Sequence, residues 1–221
     1  MVHLVTDRHR LTGLESLRDV RHCLVRQARF AIDAGIDVLQ VRERDLEARD
    51  LLELVEDMVS ASRGTRTRVV VSDRIDVALA AGADGVHLPR NAVRPALVRR
   101  VVPAGFLVGC SVHSVAEARE AHGADYLVAG TVWASASKPA GHPLIGVDGL
   151  EANIRAVDVP VLAIGGVTAS RAGEVAAVGG AGIAAIGLFV GGAVSRDCRA
   201  VPLSAIVDAL RRRFDTPRSG S

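Results

Sequence analysis

Aromatic side chains make up only 3% of this 221-residue chain, with one Trp and one Tyr. A core short of rings has to be assembled from Val, Ile, Leu and Ala. Cysteine is equally sparse: Cys23, Cys110 and Cys198 are widely spaced and odd in number. They form neither a disulfide framework nor a CxxC metal pair, which points to a reducing compartment. The formal charge of +2 is too small to attract nucleic acid. The start, Met-Val-His-Leu-Val-Thr-Asp-Arg, lacks the basic segment and long apolar run of a secretory signal. The most apolar region, residues 179–194, is glycine-rich and shorter than a membrane span. A cytoplasmic protein with no nucleic-acid or membrane partner is the expectation.

Apolar residues, at 49%, and 22 glycines supply a sizeable core and many tight turns. Strands are expected over 2–6, 38–41, 68–71, 84–88, 106–109, 126–129, 160–164 and 183–187. Helices are expected between them. Leu17, Val20, Leu24, Ala28 and Ala31 recur at the spacing of one buried helix face. Further helices are expected over 46–62, 75–80, 94–101, 114–121, 147–156, 170–178 and 203–214, with Ser114 and Glu117 at capping-box spacing. Residues 130–146 lack apolar periodicity and read as a long loop. Runs such as VVV, YLVA and VLAI are apolar on both faces, the mark of parallel strands covered by helices. Eight strand–helix units in this length predict a single (β/α)8 TIM barrel over residues 1–214 with a frayed tail at 215–221. The alternative, a doubly wound open sheet, is disfavoured because the first turn lacks GxGxxG and no long break separates two halves.

Chemistry-bearing residues collect where these strands end. Gly165-Gly166 after the seventh strand and Ile186-Gly187 after the eighth leave backbone amides free for a phosphate. Gln40, Arg42 and Arg44 share one face of the second strand, with Glu43 on the other. An arginine fork there can hold phosphate or carboxylate, or build a salt-bridged rim. Asp73, after Ser72, either caps a helix or binds magnesium, but the fourth strand end, His87-Leu88-Pro89-Arg90-Asn91-Ala92, offers no second acid. His113, in Ser111-Val112-His113-Ser114, is the acid–base candidate. Cys110 reads as a small buried hydrophobe and His87 as a structural group or ligand neighbour. Ser135, Ser137 and Lys138 bring hydroxyls and a cation on an arm able to close over a ligand, with Trp133 as its packing anchor. His3, His9, His22, His122 and His142 form no metal-ligand cluster.

In combination, Gln40 to Arg44, Ser72 to Arg74, Gly82 to Leu88, Gly109 to Ser114, Gly123 to Tyr126, Ser135 to Lys138 and Ala163 to Val167 resemble the thiamin phosphate synthase and thiazole tautomerase superfamily. The resemblance covers roughly residues 2–212 and implies a (β/α)8 barrel, often dimeric. The synthase branch joins a pyrimidine pyrophosphate to a thiazole phosphate, with magnesium stabilising the departing pyrophosphate. That branch usually has lysine where Arg44 stands, asparagine at Ser72 and a second metal aspartate at Ala92. The tautomerase branch usually has Arg-Glu-Arg, Leu-Pro and Ser-Val-His-Ser, present here as Arg42 to Arg44, Leu88-Pro89 and Ser111 to Ser114.

On that ground the sequence reading favours the tautomerase. The substrate would be a thiazole carboxylate phosphate, aromatised by proton transfer at His113. Arg42 and Lys138 would orient its anionic groups, and no metal or redox cofactor would be needed. In the synthase alternative, Asp73 holds Mg2+. A third reading is a non-catalytic regulator that binds a thiamin precursor.

Overall fold

The structure, a computed structural model, describes residues 1–11, 16–135, 138–139, 141–189 and 203–214. Its eight strands are β1 (Val2–Val5), β2 (Val38–Val41), β3 (Arg68–Ser72), β4 (Gly85–Leu88), β5 (Leu107–Val112), β6 (Tyr126–Gly130), β7 (Val161–Ile164) and β8 (Gly182–Ala185). They pair in parallel in chain order, and β1 closes the ring by placing His3 opposite Val38 on one side and Ala184 on the other. The helices are α1 (Leu17–Asp33), α2 (Ala48–Ser62), α3 (Ile75–Ala80), α4 (Pro95–Val98), α5 (Val115–Glu120), α6 (Gly146–Arg155), α7 (Ala172–Ala177) and α8 (Leu203–Phe214). The predicted (β/α)8 barrel is therefore the observed fold. Among the described residues no helix is long and apolar enough to cross a membrane.

Period two along each strand divides the molecule into two cores. Outward residues such as Leu4, Leu39, Val71, Leu88, Leu127 and Ile183 pack under the helices in one large apolar cluster. The inward set is smaller and of mixed character. Val5, Tyr126, Val128, Leu162 and Ala184 form its apolar part. His3, Gln40, Ser72 and His87 are buried with them.

One sequence feature recurs at the strand starts: glycine, a small or branched residue, then aspartate. Gly35, Gly82 and Gly123 hold φ of 80°, 66° and 89°, the left-handed conformation that ends the preceding helix or turn. The aspartate two residues on then accepts the amide of the first or second residue of the preceding strand. Val2 N–H donates to Asp37 at 2.7 Å, Val69 N–H to Asp84 at 2.8 Å and Val108 N–H to Asp125 at 2.7 Å. Each carboxylate also meets an arginine: Asp37 with Arg211, Asp84 with Arg68 and Asp125 with Arg99. These clamps stitch neighbouring strands at the end of the barrel away from the chemistry.

Three boundaries differ from the sequence reading. β5 runs on to Val112, so Cys110 and Ser111 are strand residues on opposite faces. α4 is a single turn that starts at Pro95, whose ring fits only the first turn of a helix. β8 stops at Ala185, leaving Ile186 and Gly187 in the turn beyond it. The 215–221 tail, Ser137 and Cys198 lie outside the described residues. Cys110 is free and buried, and Cys23 is buried on the inner face of α1.

Asp84→Ala removes an ionised acceptor from a strand amide, worth about 1.5–3 kcal/mol for a charge-assisted bond. The urea midpoint should fall accordingly, while the rate at saturating substrate stays unchanged. An unshifted midpoint would show that the clamps do not carry stability.

Candidate active site

The C-terminal ends of the strands define the mouth, because a parallel barrel exposes its loops there. The floor of the mouth is polar. Gln40 on β2 donates through Nε2 to Ser72 Oγ on β3 at 2.7 Å. His87 on β4 lies 2.8 Å from Ser111 Oγ on β5 through Nε2 and 3.2 Å from Tyr126 Oη on β6 through Nδ1. His3 packs edge-on beside both rings, with centroids 6.1 Å from His87 and 5.7 Å from Tyr126. Neither ring nitrogen of His3 makes a well-formed hydrogen bond among the described residues, although the Gln40 side chain stands close enough to oppose the lowering of its pKa. Burial drives the pKa of His3 down to about 3, and burial, then the neighbouring His3 and Arg44, does the same to His87. Both imidazoles stay neutral at physiological pH.

Above this floor Arg42 is half-buried and Arg44 exposed, and neither guanidinium has an ion-pair partner among the described residues. Desolvation and Arg42 lower the pKa of Arg44, while Asp73 opposes them. Asp73 is the one non-glycine residue with positive φ among those described, at 63°. That strained conformation turns its exposed carboxylate out of the strand line, and nothing among the described residues bonds it. Glu43 is buried at 2% exposure. It accepts from Thr6 Oγ1 at 2.6 Å and from Arg8 N–H at 3.1 Å, while Arg42 N–H donates to the same Thr6 hydroxyl at 2.9 Å. The β1 turn thus props the Arg42 backbone.

On the other sector, Gly165 and Gly166 hold φ of 97° and 63°. A Cβ on Gly165 would stand 2.3 Å from Thr131 Cγ2, and one on Gly166 would stand 2.4 Å from the Ala134 carbonyl. The glycines are therefore required by the β6 loop crossing them, which is a structural role. Their carbonyls face that loop and its neighbour: Trp133 N–H donates to Gly165 O at 3.1 Å and Arg171 Nη1 to Gly166 O at 2.7 Å. Trans peptides then put the Gly166 and Val167 amides on the opposite side, where no partner among the described residues takes them. Gly187 is exposed, and Arg10 Nη1 lies 3.3 Å from where its Cβ would be. The sequence reading missed Arg10, Thr6 and the inward-facing His3 and Tyr126. Period two from Val5 could have placed His3 inside; nothing local signals Arg10.

His113 stands past the end of β5 and is exposed. Its Nδ1 donates to the Gly130 carbonyl, and its backbone N–H donates to Glu117 at 2.7 Å. Ser114 caps α5 by accepting from Glu117 N–H, and Glu117 also pairs with Arg90 at 2.9 Å. The segment that suggested proton transfer is thus a helix start. Cys110 faces the outer core, and burial, then Glu117, pushes its thiol up to about 11, so no thiolate accompanies His113. Ser135 is half-buried; Lys138 is exposed, its amide donating to Ser135 O at 3.1 Å. The Trp133 ring packs under the Arg171 guanidinium, 5.1 Å from its centroid, as an anchor for this arm.

A closed parallel barrel with arginines past β2, a carboxylate past β3 and glycine turns past β7 and β8 is a (β/α)8 protein with its polar groups gathered at one mouth. Residues 3–189 match the family described as thiamine monophosphate synthase, and the chain belongs to that family. It is 37% identical over 193 residues to the thiamine-phosphate synthase of Roseiflexus castenholzii, covering 86% of this chain and 81% of that one. It is 43% identical over 166 residues to the thiamine-phosphate synthase of Methanoculleus marisnigri, covering 74% and 79%. Among solved structures, the thiamine phosphate pyrophosphorylase of Pyrococcus furiosus superposes with a TM-score of 0.77 at 30% identity over 97% of this chain and 95% of that one.

These relatives overturn the tautomerase reading. It rested on three short segments at the rim, Arg42 to Arg44, Leu88-Pro89 and Ser111 to Ser114. Rim segments are free to vary on a conserved scaffold, and here the last one caps a helix. The similarity spread over the whole barrel supports a transferase in place of an isomerase.

Burial raises the pKa of Glu43 above its usual 4.5 despite the bonds from Thr6 and Arg8. The folded state then holds this proton more tightly than the unfolded one. Stability from this group is present at low pH and lost as pH rises from about 4.5 through the raised value. Glu43→Gln should remove that downward component from a plot of urea stability against pH. An identical pH slope in the variant would contradict the buried-carboxylate account.

Proposed function

We propose that this protein is a thiamine-phosphate synthase, a transferase that joins a pyrimidine pyrophosphate to a thiazole phosphate. The thiazole nitrogen forms a bond to the pyrimidine methylene carbon as the carbon–oxygen bond to pyrophosphate breaks. The observation that carries the reading is the pair of anion-binding sectors in one mouth. Among the described residues Arg42 and Arg44 stand without ion-pair partners near β2 and β3, and the Gly166, Val167 and Gly187 amides without acceptors near β7 and β8. A bimolecular reaction with one phosphate-bearing group on each reactant needs two such sectors. Arg42, Arg44 and Lys138 would take the pyrophosphate, and the Gly165-Gly166 and Ile186-Gly187 turns the thiazole phosphate. Gln40, Ser72 and Ser111 would line the pyrimidine side, and Ser135 the edge of the mouth past β6. We place the enzyme in the cytoplasm, acting on small phosphorylated substrates.

Magnesium fits this site through Asp73, whose carboxylate is unbonded and turned outward near Arg44. A magnesium ion needs only one or two carboxylates when substrate phosphates complete its shell. Bound there, it would neutralise charge on the pyrophosphate. Ala92, where a second acid is usual, packs half-buried against the outer core and contributes nothing to a metal. More of the charge on the leaving group then falls to Arg42 and Arg44 than in a two-carboxylate site.

The test follows pyrophosphate release and thiazolium formation with both substrates and magnesium. Turnover should require the metal. Arg42→Ala should lower kcat/KM roughly ten- to a hundredfold, the equivalent of one charge-assisted hydrogen bond. Asp73→Asn should raise the magnesium concentration needed for half-maximal rate. No pyrophosphate from folded protein with both substrates and magnesium present would sink the reading.

A further inference from the structure

Gly109 on β5 stands directly opposite Tyr126 on the neighbouring strand β6. A Cβ there would stand 2.2 Å from Tyr126 Cζ and 2.4 Å from Tyr126 Oη, so only glycine leaves room for the phenol. Through that notch Tyr126, 2% exposed, brings its hydroxyl 3.2 Å from His87 Nδ1. His87 in turn reaches Ser111 Oγ at 2.8 Å, and Ser111 is the member of this chain that opens toward the mouth. We propose that Tyr126 is a positioning residue that, through His87, holds Ser111 as a hydrogen-bond donor to the bound substrate.

The direction of the chain follows from donor and acceptor counts. Burial keeps the phenol protonated, and its one partner among the described residues is His87 Nδ1. A buried O–H left without an acceptor is costly, so Tyr126 donates and Nδ1 accepts. The neutral ring then carries its proton on Nε2 and donates it to Ser111 Oγ. With its lone pair engaged from below, the Ser111 hydroxyl directs its own hydrogen into the mouth. The reversed chain would leave the phenol hydrogen unpaired. The group recognised is therefore an acceptor, such as a pyrimidine ring nitrogen or a phosphate ester oxygen. The role in turnover rests on the synthase reading; the tautomer does not.

The test is 15N NMR of histidine-labelled protein without substrate, with His87→Gln used to assign the His87 signals. The expected spectrum shows protonated Nε2 and an unprotonated, hydrogen-bonded Nδ1. Tyr126→Phe, which keeps the ring that fills the notch, should move Nδ1 toward the position of a free nitrogen. It should also lower kcat/KM for coupling on the order of tenfold, one neutral hydrogen bond's worth. An Nδ1-protonated His87 in the unaltered protein would overturn the proposal even if Tyr126→Phe failed to fold. An unchanged rate in folded Tyr126→Phe, with Nδ1 shifted, would reduce Tyr126 to a packing residue. The expected tautomer with no coupling by the unaltered protein would leave the hydrogen-bond chain standing and remove the synthase reading.

Discussion

Closure of the parallel ring governs everything else in this molecule. Once β8 pairs with β1 there is no free edge, and the register of each strand is held from both sides. A slip of one residue in any strand would exchange its inward and outward side chains. The outward set is almost purely aliphatic, so such a slip would bury His3, Gln40 or His87 against the helices with no partner. The aspartate clamps at 37, 84 and 125 reinforce the same register from the strand starts. Site geometry is thus inherited from packing that occurs elsewhere.

The interior accepts polar groups at a cost, and it limits that cost by keeping them neutral. His3 and His87 are held uncharged by burial, and Gln40, Ser72, Ser111 and Tyr126 carry no charge at all. Around this floor formal charge stands at the mouth, on Arg42, Arg44, Asp73 and Lys138. A neutral floor beneath a cationic rim suits an uncharged heteroaromatic ring that carries an anionic tail. Both substrates of a thiamine-phosphate synthase have that form.

The same separation explains why short motifs misled. Ser111 to Ser114 mixes an inward strand residue, an outward one, an exposed imidazole and a helix cap, four positions with unrelated jobs. Reading the segment as one catalytic unit gave His113 a weight that its bond to the Gly130 carbonyl does not support. The glycine pair at 165 and 166 shows the opposite case. Steric demand from Thr131 and Ala134 requires the glycines, and the orientation that results also frees two amides.

Runs apolar on both faces and the spacing of eight strand–helix units determined the barrel from sequence alone, because they report local geometry and burial. Gln40, Arg42, Ser72, Asp73 and the late glycine turns could be placed at the strand ends for the same reason: they terminate apolar runs in a parallel sheet. Tertiary structure alone decided which of them meet. The Gln40–Ser72 bond, the Tyr126–His87–Ser111 chain, the notch at Gly109 and the approach of Arg10 to Gly187 join residues 17 to 177 positions apart. Their contacts depend on ring closure and strand register, which act across the barrel and leave no periodic trace in the chain.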